Sequence, residues 1–219
     1  MTEIDVRQIV PSTRDLLQVL STRRRNLALV GELSAERPTD EASRLDEANI
    51  SAFAFNEAGP PMTDAARATK TVPSLCLGAV ATREDCQRAR FFGADGVCID
   101  VALPPAEWDG LAKVARGMRM MPLGLVRSEA DMELAQKAGA RAVVVRAGTV
   151  DELLAIAQKA PRGLILVADV AAQEGAARVV GSADAAAIRA LSGKVDSAIV
   201  PAPVHAGPEF AELVEEVDP

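Results

Sequence analysis

The chain has 219 residues, a formal net charge of −7, and an apolar content of 49% that includes five Phe, one Trp and no Tyr. That length suits one domain with a full core and leaves too little for two. An acidic chain without an extended basic stripe is a poor partner for nucleic acid or a membrane surface. No apolar run reaches the roughly 18 residues of a membrane span.

Residues 1–26 are expected to form an N-terminal helical extension. Pro11-Ser12-Thr13-Arg14-Asp15 followed by Leu16, Leu17, Val19 and Leu20 reads as a capped helix that packs across one end of the domain. The basic run Arg23-Arg24-Arg25 reads as a solvated helix end. Residues 27–219 then carry eight short apolar runs, most of them about 23 residues apart: Leu27–Leu33, Ile50–Asn56, Pro73–Val80, Gly96–Leu103, Arg119–Val126, Ala142–Ala147, Leu164–Asp169 and Ser197–Ala202. Near-continuous runs such as Ala142-Val143-Val144-Val145 suit parallel strands buried on both faces. A helical stretch follows each of the first seven. One is N-capped by Thr82 with Asp85 three residues later, and Gly93 and Gly139 stand where two helices must turn into the next strand. Eight strands alternating with helices predict a single (β/α)8 TIM barrel with a short N-terminal helical extension. The seventh unit is longer, with extra residues around Gln173–Ser182.

Such a barrel places its ligand contacts at the carboxyl ends of the strands. The polar residues there are Glu32, Asn56, Asp100, Arg127, Arg146 and Asp169. Two readings stand. Arg127 and Arg146 grip an anionic ligand in the mouth, or they pair with Glu32, Asp100 and Asp169 in a structural network. Buried acids without such partners would be costly. Cys76, Cys86 and Cys98 have no metal-ligand spacing and read as small core residues with reduced thiols, as in a cytoplasmic protein. The single histidine, His205, is expected in an exposed loop after strand 8. Trp108 is expected on an outer helix, as a packing or interface residue. No metal and no cofactor is implied.

The run Val30-Gly31-Glu32-Leu33 with Arg37-Pro38-Thr39, Val72-Pro73-Ser74-Leu75, the stretch Ala89 to Val97 and Ala135 to Ala140 bring a family into view. Over roughly residues 14–215 the chain resembles indole-3-glycerol phosphate synthase, the carbon–carbon lyase barrel of tryptophan biosynthesis. The resemblance implies a glutamate on strand 1, which Glu32 keeps. It implies lysines where Ser34 and Leu77 stand and a second catalytic glutamate at Gly124. It also implies an Asn-x-Arg pattern where Arg146-Ala147-Gly148 stands. Asp169-Val170-Ala171 replaces Glu-Ser-Gly, and Pro201-Ala202 replaces a phosphate-binding Gly-Ser pair. Proline has no N–H to offer an anion. The resemblance therefore implies a barrel that has lost the synthase reaction, a pseudoenzyme in the sense of a non-catalytic or repurposed binding scaffold for a phosphorylated small molecule or a protein. The alternative is a divergent active synthase, or another sugar-phosphate enzyme on the same fold.

Overall fold

The computed structural model describes residues 6–21, 27–171 and 184–217, and the backbone of 173–174 and 177–178. The Arg23–Arg25 run lies outside them, as does most of the Gln173–Ser182 insertion. Within that insertion Gln173–Glu174 pairs antiparallel with Ala177–Arg178. Eight parallel strands close into a barrel: β1 (Ala28–Glu32), β2 (Ala52–Phe55), β3 (Ser74–Val80), β4 (Gly96–Asp100), β5 (Met121–Val126), β6 (Ala142–Ala147), β7 (Ile165–Val170) and β8 (Ser197–Val200). The ring closes through β1 on β8, with Ala28 opposite Ser197 and Gly31 opposite Val200. This is the (β/α)8 architecture that the 23-residue spacing predicts. Among the described residues no helix is long and apolar enough to cross a membrane.

The strand period of two separates two apolar layers. Val30, Ala52, Ala54, Leu75, Leu77, Cys98, Leu123, Leu125, Val144, Val167 and Ile199 fill the lumen. The alternate residues, such as Leu29, Phe53, Val97 and Val143, face the outer helices. Glycine marks two close approaches. A Cβ on Gly31 would lie 2.6 Å from Leu45 of α2 (Pro38–Glu47), and one on Gly96 would lie 2.3 Å from Leu16.

Leu16 belongs to α1 (Leu16–Leu20), capped by the Asp15 carboxylate on the Gln18 N–H at 3.1 Å. Leu16 and Leu20 join the lumen cluster and plug the barrel from its N-terminal end. Asp95 fastens this segment. Its buried carboxylate accepts from Ser12 Oγ at 2.6 Å, Arg90 Nη1 at 2.9 Å and the Ser74 N–H at 2.9 Å, and lies 3.2 Å from Arg14 Nε. Arg14 also donates to the Val72 carbonyl at 2.6 Å.

The helix signals behave as their chemistry requires. Thr82 and Asp85 form a reciprocal capping box at the start of α4 (Arg83–Phe91), and Gly93 follows that helix at φ +108°. Gly139 follows α6 (Glu129–Lys137) at φ +69°. Both angles lie in the left-handed region that glycine enters at little cost.

Candidate functional site at the barrel mouth

Each of the six polar residues singled out above stands two positions beyond an inward apolar residue, as Glu32 follows Val30 and Arg146 follows Val144. The parity therefore turns all six toward the mouth. The structure joins them in pairs. Asn56 Nδ2 donates to Glu32 Oε1 at 2.8 Å, and Arg127 Nη1 donates to Asp100 Oδ2 at 2.7 Å. Arg146 Nε donates to Asp169 Oδ2 at 2.6 Å, with side chains only 4% and 1% exposed.

Arg146 does more than pair with its neighbour on β7. Its Nη2 reaches across the lumen and donates to the Leu77 carbonyl on β3 at 3.2 Å. That carbonyl is presented by an irregularity in β3. Cys76 is paired with Val97, but the next pair is Ala79 with Cys98, so Leu77 and Gly78 bulge from the ladder. Gly78 is needed there, because a Cβ would lie 2.5 Å from the Asn56 carbonyl oxygen. The centre of the mouth is thus filled by one guanidinium held from two sides.

The open space lies to one side. A cavity of about 630 Å3 extends over the ends of β1 and β2, lined by Glu32, Ser34, Glu36, Asn56, Glu57 and Arg88 among others. A smaller one of about 290 Å3 adjoins it above β3, where Asn56, Glu57 and Arg88 recur beside Cys76, Gly78 and Asp85. Arg88 of α4 has no predecessor among the sequence candidates. Its guanidinium sits 5.9 Å from the Phe92 ring centre, and it makes no side-chain hydrogen bond or ion pair among the described residues. Burial raises the Cys76 thiol to about 11, so it stays protonated and is no nucleophile near neutral pH. Cys86 is likewise pushed up to about 11, by burial first and Asp85 second. Among the described residues no group of three or more His, Cys, Asp or Glu is arranged to hold a metal ion.

His205 is a correction. It is not an exposed loop residue but lies buried in a short helix, α9 (Ala202–His205). The ring bridges Nε2 to the Glu32 carbonyl oxygen at 2.7 Å and Nδ1 to Arg44 Nη2 at 2.8 Å, while Arg44 Nη1 donates to the His205 carbonyl. Arg44 offers only donors, so Nδ1 accepts and Nε2 carries the proton. Burial first, and the Arg44 charge next, lower the pKa of His205. The folded chain therefore holds a neutral imidazole that the unfolded chain protonates at a higher pH. Its contribution to stability is complete above the unfolded value of about 6.5 and is lost as pH falls through the lower folded value. Urea midpoints of the protein should fall between pH 7.5 and pH 5.5, and the fall should be smaller in His205→Gln. At pH 7.5 that variant should lose about 1–3 kcal/mol by leaving buried partners unsatisfied.

Trp108 is 1% exposed on an outer helix, the packing role of the two expected for it. Gly124 does not face the mouth: a Cβ there would meet Val101, Val143 and Ala140 on the helix side, and Leu125 holds the inward position. The Ser34 N–H and hydroxyl both donate to Glu41 at 2.8 Å. The Ala171 N–H is spent on the Ala147 carbonyl.

No family model matches the chain, and no curated protein matches it. Solved structures do. KGPDC from Streptococcus mutans superposes with TM-score 0.68 at 9% identity, covering 88% of this chain and 98% of its own. The 3-hexulose-6-phosphate synthase of Salmonella typhimurium gives 0.67 at 12% identity, with 87% and 96% covered. Orotidine 5'-monophosphate decarboxylase from Methanocaldococcus jannaschii, complexed with the inhibitor BMP, gives 0.65 at 12%, with 89% and 100% covered. At such identities the likeness is one of fold. These are a related group of barrels and not indole-3-glycerol phosphate synthase, which corrects the resemblance read from the sequence. The motifs that carried it are largely scaffold. Gly93 and Gly139 serve left-handed turns that any such βα repeat needs, and Asp95 anchors the N-terminal segment.

Proposed function

We propose that the chain is a ligand-binding barrel that does not turn its ligand over, and that it takes a small hydroxylated molecule in the cavity over β1 and β2. The observation that carries this is Arg146. Its guanidinium crosses the mouth, where enzymes of this fold place their chemistry, and is held by Asp169 of β7 and the Leu77 carbonyl of β3. General acids and bases need a proton within reach of substrate. Here Arg127 engages Asp100, Asn56 engages Glu32, and His205 spends both ring nitrogens on structure.

The side cavity is lined by Glu36 and Glu57, which make no side-chain hydrogen bond or ion pair among the described residues and suit hydroxyl groups, beside the Asn56–Glu32 pair. Three acids, Glu32, Glu36 and Glu57, stand against the one cation Arg88, which disfavours a ligand of high negative charge. In a thermal-shift panel, sugars and sugar alcohols should therefore raise Tm more than their phosphates. Glu57→Ala should weaken binding about tenfold, the cost of one good hydrogen bond to a ligand hydroxyl. Phosphates that bind more tightly than their parent sugars would overturn the ligand class.

The second reading is an active sugar-phosphate enzyme. It is favoured by the fold neighbours, two of which are named for phosphorylated compounds. It requires Arg88 or the half-buried Arg127 to receive the phosphate, and it predicts turnover.

A further inference from the structure

A second cavity, of about 450 Å3, opens at the opposite, N-terminal end of the barrel, beneath β4 to β6. Its buried lining includes Leu16, Trp108 and Met120. Trp108 belongs to α5 (Pro105–Gly117), and its indole N–H has no hydrogen-bond partner among the described residues. The rim carries four arginines. Arg14 is engaged by Asp95 and the Val72 carbonyl. Arg116, Arg119 and Arg141 are exposed and make no side-chain hydrogen bond or ion pair among the described residues. The two acids of the lining are already committed, Asp95 to the N-terminal segment and Asp15 to the cap of α1. Three uncommitted guanidinium groups thus border one apolar hollow in a chain of net charge −7.

Arg119 adds an independent observation. Gly93, Gly139, Gly163 and Gly193 supply the positive φ that follows α4, α6, α7 (Val150–Ala157) and α8 (Ala185–Leu191). After α2 the left-handed residue is Asn49, at φ +58°, a residue type that tolerates this region, and after α5 it is Arg119, at φ +56°. A non-glycine residue there costs backbone energy, and in exchange it sets a guanidinium at the cavity rim.

We propose that this cavity binds a small aromatic oxyanion, an aryl carboxylate or aryl phosphate, at a site separate from the mouth. The ring packs against the half-buried Leu17, Met121 and Pro122 of the lining, and the acid group meets Arg116, Arg119 and Arg141. Guanidinium groups suit both oxyanions through paired N–H donors. Binding here is independent of whatever the mouth binds.

Trp108 is the only Trp in a chain without Tyr, so intrinsic fluorescence reports this cavity directly. Phenyl phosphate and benzoate should each produce a saturable change, and inorganic phosphate and benzyl alcohol should bind at least about tenfold more weakly. Arg119→Gly and Arg141→Ala should each weaken phenyl phosphate about tenfold, or 1.4 kcal/mol. Arg119→Gly keeps the left-handed turn without strain, so its Tm should not fall, and lost binding there reports the guanidinium rather than the fold. No saturable response to either aromatic anion would overturn the proposal, as would affinities unchanged in both variants. Inorganic phosphate as tight as phenyl phosphate would overturn the aromatic assignment.

Discussion

Asp95→Ala is expected to cost about 3–5 kcal/mol of stability, the range for removing one partner of a buried charged network. Three changes occur together. The Arg14 and Arg90 side chains lose their shared counter-charge, the Ser74 N–H loses its acceptor, and Ser12 no longer ties the N-terminal segment to β4. Because that segment positions the Leu16 and Leu20 plug, the loss should spread into the lumen. For a chain of this size, each kcal/mol moves Tm by about 2–4 °C, so a fall of roughly 6 °C or more is expected in a thermal melt. Asp95→Asn keeps the shape and part of the hydrogen bonding and should fall between the two. A loss below about 1 kcal/mol in Asp95→Ala would show that the hub is not what fastens the plug.

The second large effect lies at the mouth. Asp169→Ala should cost about 3–5 kcal/mol, because it leaves the Arg146 guanidinium buried beside an apolar lumen with the Leu77 carbonyl as its remaining side-chain partner among the described residues. Replacing both partners, as Arg146→Met with Asp169→Leu, should recover most of that loss. Such a swap removes the charges and their desolvation cost together, although the Leu77 carbonyl then loses a donor, at about 1 kcal/mol. The double-mutant cycle in urea should therefore show strong coupling. A double variant as unstable as Asp169→Ala alone would mean that each residue contributes separately.

The barrel is legible because its strand starts repeat and because inward positions alternate with helix-facing ones along the strands, β3's bulge apart. Val30 then Glu32, Ala54 then Asn56, and Val144 then Arg146 show in the sequence which polar groups reach the mouth. Their pairing across neighbouring strands follows from register, which local sequence does not encode. Gly124 shows the opposite error. Placing it by family pattern put it in the mouth, whereas Leu123 and Leu125 on either side already take the lumen positions.

Three features had no local signal. The hub at Asp95 joins residues 83 apart, and its Gly93-Ala94-Asp95 context reads simply as a helix stop. His205 is buried only because α9 folds back against β1, which a Pro-rich loop sequence conceals. The β3 bulge depends on the close approach of the Asn56 carbonyl to Gly78. Arg88 was detectable in principle, as the Arg of an i,i+4 Arg88–Phe92 pair on a helix that begins just after β3.

The mouth is expected to bind its ligand without chemistry. Incubating the purified protein with the hydroxylated ligand that stabilises it most, and with that ligand's phosphate ester, while following both by proton NMR, tests it most directly. Saturable line broadening with no new product signals over hours is the predicted result. Product formation at about 1 per second or faster, the range of ordinary enzymes, and its abolition in Glu32→Gln, would show instead that the mouth is an active site.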